Sequence, residues 1–112
     1  MAVAPAPIGV LTPDSFSGIQ MPVAIMNLGR IEELPLTVRA DKAARLISYV
    51  TYSTIDDASR YSMFAQCKPG AAEIAIAEIG EPICADGGGR SRKVIHTQII
   101  NAAVKAFDEA LR

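Results

Sequence analysis

Tryptophan is absent from the chain, and only three phenylalanines and three tyrosines represent the large aromatics. A core with so few rings must be filled from Ala, Ile, Val, Leu and Met, although half of the 112 residues are hydrophobic. These side chains enclose little area each, and a chain of this length lies below the size that buries surface efficiently. Small domains of this kind commonly draw on oligomerisation for stability. Cysteine is scarce as well. Cys67 and Cys84 are the only two, too few for a disulfide-stapled secreted domain, so two reduced, half-buried thiols are expected. Neither charge dominates: 11 Lys and Arg stand against 12 Asp and Glu, a formal net charge of −1. No global attraction to nucleic acid or to an anionic membrane follows, which leaves only local patches. No apolar run approaches the ~20 residues needed to span a bilayer. The opening Met1-Ala2-Val3-Ala4-Pro5-Ala6-Pro7 lacks the basic stretch of a signal peptide. A soluble protein made in the cytoplasm is the expectation.

What the chain does contain is one long amphipathic segment at its end. Lys93, Thr97, Asn101, Lys105, Asp108 and Arg112 recur at helical spacing and form the solvent stripe of a helix over 91–111. Two apolar rows fill the rest of its surface. One runs Ile95, Ile99, Ala102, Ala106, Ala110, and the other Ile100, Ala103, Val104, Phe107, Leu111. One row suffices to dock a helix on its own sheet, so the second points to another subunit. Ile95, Ile99, Ile100, Ala103, Val104, Phe107 and Leu111 are therefore the expected residues of an oligomer interface.

Ahead of the helix, residues 1–18 carry Pro5, Pro7 and Pro13 and are expected to form an extended arm. Residues 19–112 then make a single domain. Ile19–Leu28 is apolar apart from Gln20 and Asn27 and has Pro22 near its start, which suits an edge strand. Leu34, Leu36 and Val38 alternate with polar residues and predict a second strand. Over 40–67 helix and strand compete. Leu46–Ile55 is rich in β-branched and aromatic residues, which favours a strand, with a returning strand at Arg60–Cys67. Lys68-Pro69-Gly70-Ala71 has the residue order of a type II turn. Ala72–Ile79 leaves that turn as a further strand, with Ile74 and Ile76 on one face. In such a hairpin Cys67 and Cys84 lie far apart along the register, which disfavours a bond between them. The resulting fold class is α+β: an antiparallel sheet of four to five strands, with the long C-terminal helix packed on one face and exchanged or packed across a dimer.

Residues that could carry chemistry are few. Gly87-Gly88-Gly89-Arg90-Ser91-Arg92-Lys93 runs into a helix N-terminus, where amide N–H groups and cations would suit an anion. The spacing matches neither phosphate-loop nor dinucleotide fingerprints. His96, the only histidine, falls on the row of Ile100, Ala103 and Phe107. Neither an orienting carboxylate nor a set of metal-ligand partners is recognisable beside it. The acidic pairs Glu32-Glu33, Asp56-Asp57 and Asp108-Glu109 read as solvated faces. No catalytic residue, metal site or cofactor is expected, and the chain is read as a non-enzyme. Arg39, Arg45, Arg60 and Lys68, together with Arg90, Arg92 and Lys93, are the candidate contacts to an anion or to a nucleic-acid backbone.

The segments LPLTVRA, RLISYVTYSTI, SRYSMFAQC, AEIAIAEIGEP and VIHTQIINAAVKAFDEAL, spanning Leu34 to Leu111, resemble the coat proteins of single-stranded RNA bacteriophages. That resemblance implies a dimer with one continuous sheet and exchanged helices, a closed shell found in the virion, and RNA contact from the inner sheet face. No RNA-binding residue of the family carries over position by position. The leading functional expectation is a self-assembling structural protein whose partners are further copies of itself and RNA. The alternative is a small cytoplasmic ligand-binding or regulatory domain that takes an anion at Gly87–Lys93.

Overall fold

The computed structural model describes residues 1–6 and 8–112. Its central element is a strand, β2, over Val23–Leu28. Pro22 stands one residue before it, so the missing N–H removes no ladder bond. β1 (Ala2–Val3) and β3 (Val50–Ile55) flank β2, and both pair with it in parallel. Ile25 sits opposite Tyr52 and Leu28 opposite Ile55. The ladder extends past the strand ends, with Val23 N–H donating to Tyr49 O at 2.8 Å and Gly29 N–H to Ile55 O at 2.9 Å.

Parallel strands cannot be joined by a tight hairpin and require crossovers. The first crossover carries a helical turn at Ile8–Val10 and a short helix, α1 (Asp14–Ser17). The second has turns at Ile31–Glu33 and Leu36–Val38, then α2 (Asp41–Ala44). Pro7, one of the three prolines of the expected arm, lies outside the described residues. The arm region supplies β1, and its Ile8 and Phe16 pack on the core.

The chain is thus α+β with a long C-terminal helix, but the expected antiparallel sheet of four to five strands is replaced by three parallel strands. Three local competitions explain the difference. Leu34–Val38 alternates like a strand, yet Pro35 divides it and the segment turns over the sheet as a connection. Arg60–Cys67 forms irregular turns instead of a returning strand. Ala71–Ile79 is a helix, α3, not a strand. Its Ala and Glu content favours helix, and glycine closes both ends. Gly70 takes φ 83°, and Ala71 N–H donates to Lys68 O at 3.0 Å, so the type II turn forms as expected. Gly80, at φ 78°, donates to Ala75 O and Ile76 O, a left-handed helix stop.

The final helix, α4, runs Arg92–Ala110, and the Ser91 side chain caps it by accepting from Val94 N–H. Helix α4 covers one face of the sheet, where Ile95 and Ile99 meet Met26, Leu28, Ile55 and Ala58. On the opposite face Ile25 packs with Ala40, Ala44 and Ile47, and with Ile8, Phe16, Ile19 and Val50 around them. Asn27, the one polar residue of β2, is 1% exposed. Its amide donates to Val38 O at 2.8 Å and accepts from Ala40 N–H and Tyr52 O–H, each at 2.9 Å. The second crossover is fastened to the sheet by these bonds. Removing the side chain in Asn27→Ala strands a buried N–H and C=O and should cost about 3 kcal/mol, against about 1 kcal/mol for Tyr52→Phe. Urea midpoints at unchanged slope measure both.

Candidate functional site

In parallel sheets ligand crevices form beyond the carboxyl ends of the strands, and here Asp57, just past β3, meets Arg90. Beyond β3, Asp57 receives the glycine loop: Gly88 N–H donates to Asp57 O at 3.0 Å. A Cβ at residue 88 would collide with Asp57, so the approach requires glycine. Gly87 and Gly89 take φ of 86° and 85°, a region that L side chains rarely adopt. The loop delivers Arg90 to Asp57. Nε donates to Oδ2 at 2.5 Å and Nη2 to Oδ1 at 2.6 Å, while Nη1 reaches Gln98 Oε1 at 2.9 Å. These hydrogen bonds, and then the guanidinium charge, hold the Asp57 carboxyl below the usual carboxylate range. Asp57 in turn raises Arg90.

At the first residue of α4, Arg92 is buried, with 5% of its side chain exposed. Nε donates to Asp86 Oδ1 at 2.9 Å, Nη1 to Ala65 O at 3.2 Å and Nη2 to Ile83 O at 2.8 Å. Fully buried Ser62 donates its hydroxyl to Asp86 Oδ1 at 2.9 Å. His96 Nε2–H donates to Ser62 O at 2.6 Å. Among the described residues no buried side-chain nitrogen or oxygen lacks a partner. Each nitrogen of the Arg92 guanidinium is thus already engaged within the chain. The cluster contains no hydroxyl or thiol bonded to a histidine ring, the geometry a nucleophile and base would need. It is a clamp that ties residues 57–65 and 83–86 to α4. Among the described residues no three His, Cys, Asp or Glu side chains converge as metal ligands would.

The structure separates the candidate basic residues. Arg39, paired with Asp41 at 3.2 Å, and exposed Arg45 flank α2, on the sheet face opposite α4. Arg60 lies 4.8 Å over the Tyr61 ring and pairs with Glu81. Lys68 is exposed in the turn before α3, and Lys93 is exposed on α4. Arg90 and Arg92 face carboxylates of the same chain. Asp57, Asp86 and Ser62 carried no sequence signal, because 33 residues separate Asp57 from Arg90 and no periodicity relates them. Cys67 and Cys84 form a disulfide, with Cα atoms 5.9 Å apart, where two free thiols were expected. The register argument assumed an extended return strand. A helix advances only ~1.5 Å per residue, and the stop at Gly80 turns Cys84 back to Cys67.

The second candidate feature is apolar. Of the predicted interface residues, Ile95 and Ile99 are core, at 0% and 6% exposure. Ile100, Val104, Phe107 and Leu111 are exposed at 60%, 64%, 55% and 84%, and Ala103 is half-buried between the two rows. Phe107 also borders a cleft of about 350 Å³ between the C-terminal half of α4 and the sheet, lined by Ala102 and Ala106 of the helix and by Ala24, Thr51 and Ser53 of the strands. No protein-family model, curated protein or solved structure matches the chain. Among the described residues no helix is long and apolar enough to cross a membrane.

The Asp57–Arg90 pair predicts an acid response. A carboxyl with a lowered folded pKa stabilises the fold above the unfolded value of about 3.9, and the contribution fades as pH falls through the folded value. Asp57→Asn should therefore lower the melting temperature at pH 6 and flatten its fall between pH 5 and pH 3. Asp41, lowered by Arg39 in the same sense, keeps part of that slope in the variant.

Proposed function

We propose that the chain is a non-catalytic structural subunit that assembles with copies of itself through the outer row of α4. The observation that carries this reading is the solvent-facing line Ile100, Val104, Phe107, Leu111. Its spacing is that of the a and d positions of a helix–helix seam. Singly scattered surface apolar residues are ordinary, whereas a contiguous row marks an interaction surface.

The surface area supports a subunit too. The chain exposes 7406 Å², whereas a compact monomer of 11.9 kDa is expected to expose about 5,900 Å². The excess, about 1,500 Å², surpasses the roughly 800 Å² that each partner loses in a standard interface. The radius of gyration, 15.3 Å, likewise exceeds the about 13 Å of a compact chain of this length. A second copy is the natural occupant because a self-complementary row closes a two-fold dimer without further surface. The shell architecture implied by the phage resemblance depends on an antiparallel sheet and forms no part of this proposal. Nor does anion binding at Gly87–Lys93, since Arg90 and Arg92 already have carboxylate partners.

Sedimentation velocity over a concentration series tests the reading. The wild-type chain should sediment as a dimer or larger species. Val104→Glu/Phe107→Glu should sediment as a monomer with an unchanged far-ultraviolet spectrum, since neither side chain enters the core. A wild-type chain that stays monomeric at 100 μM (about 1 mg/ml) would refute self-assembly.

A further inference from the structure

We propose that the Cys67–Cys84 disulfide is a reducible latch on α3, opened by thiol–disulfide exchange with a dithiol. The proposal stands independently of self-assembly. It begins from how little else holds the helix. Of the nine residues of α3 only Ala75 is buried, and Ile74, Ile76 and Ile79 are exposed. A helix this short is marginal when isolated in water. Just beyond it, Glu81 accepts from Tyr61 O–H at 2.6 Å and from Arg60 at 3.4 Å, both at the surface. The disulfide spans a sequence separation of 17 and encloses α3 entirely. It restricts the open states of that segment, as closing a loop does. At the two ends of the loop, Arg92 fixes Ala65 O just before Cys67 and Ile83 O just before Cys84. Reduction therefore releases 68–82 while the flanks stay seated on α4.

The bond is also placed to react. Cys67 is exposed, and both sulfur-bearing residues line an open surface hollow with Gln66, Ser91, Arg92 and Lys93. The hollow lies at the amino end of α4. Arg92 is neutralised by Asp86, whereas Lys93 and neighbouring Lys68 have no carboxylate partner among the described residues. Cations and a helix N-terminus stabilise a thiolate over a thiol, and a stabilised thiolate leaves faster. In the exchange, a thiolate of the dithiol attacks Cys67 Sγ. The Cys67–Cys84 bond breaks and the Cys84 thiolate departs beside Lys93. The second thiol of the reductant, as its thiolate, then displaces Cys67. The reductant ends as its cyclic disulfide, oxidised by two electrons. Cys67 and Cys84 take up the two protons as thiols.

Hydrogen exchange read by mass spectrometry tests the latch on three samples: the oxidised chain, the chain reduced with dithiothreitol in native buffer, and Cys67→Ser/Cys84→Ser. The expected result is at least tenfold faster exchange over 71–80 in the reduced chain and the double variant. Residues 23–28, 50–55 and 92–102 should be unchanged, and Lys93→Glu should slow native-buffer reduction several-fold. Equal exchange over 71–80 in oxidised and reduced chains would overturn the proposal. So would reduction that proceeds only in denaturant, or loss of protection across the whole chain on reduction. The reduced wild-type sample decides the matter even if the double variant fails to fold.

Discussion

Everything in this small protein hangs on the seating of Ile95 and Ile99 against Met26, Leu28 and Ile55. That contact joins the C-terminal helix to the central strand, and it involves only the first half of the helix. The inner row runs from isoleucine to alanine, from Ile95 and Ile99 to Ala102, Ala106 and Ala110. Bulk at one end and small side chains at the other leave space under the far half, where the cleft of about 350 Å³ lies. An alanine contributes far less buried area than an isoleucine. The far half of α4 is thus weakly docked on its own sheet, and its outer row is free for another partner.

The polar residues around the helix start serve the same seating. Arg92 and His96 flank Ile95 and hold carbonyls of 62, 65 and 83, segments without strand or helix structure of their own. Such segments carry backbone groups that must be satisfied when buried. A buried guanidinium with several donors suits this task, and Asp86 compensates its charge, as burial of an arginine requires. The charge that looked available for a ligand is therefore engaged in holding loops. This is why the functional reading rests on the apolar row and not on the basic residues.

The disulfide has a different part in the structure. It confines α3, of whose residues only Ala75 is buried. Oxidising surroundings maintain such a bond, and a reducing compartment opens it. The sheet and α4 contain no cysteine, so the bond constrains α3 and its flanks directly and the rest of the fold only through them.

Local chemistry was legible in the sequence wherever neighbours along the chain decide the outcome. The 3.6-residue stripe from Lys93 to Arg112 and the Pro69-Gly70 turn both depend on residues within a turn or two of one another, and both appear in the structure. The two rows of α4 were equally readable, because helical period alone places Ile95 and Ile100 on different faces. Other features needed the third dimension. Local alternation does not distinguish parallel from antiparallel pairing, which follows from the path of the connections. Ala71–Ile79 satisfied both a two-residue and a helical pattern, and the glycine stops at 70 and 80 decided between them. The pairs Asp57–Arg90, Asp86–Arg92 and Cys67–Cys84 join residues that no period relates. The sequence by itself determined the C-terminal helix and which of its faces were apolar. Only the tertiary structure decided which face was buried and which charges were neutralised, because those outcomes depend on what the folded chain brings alongside.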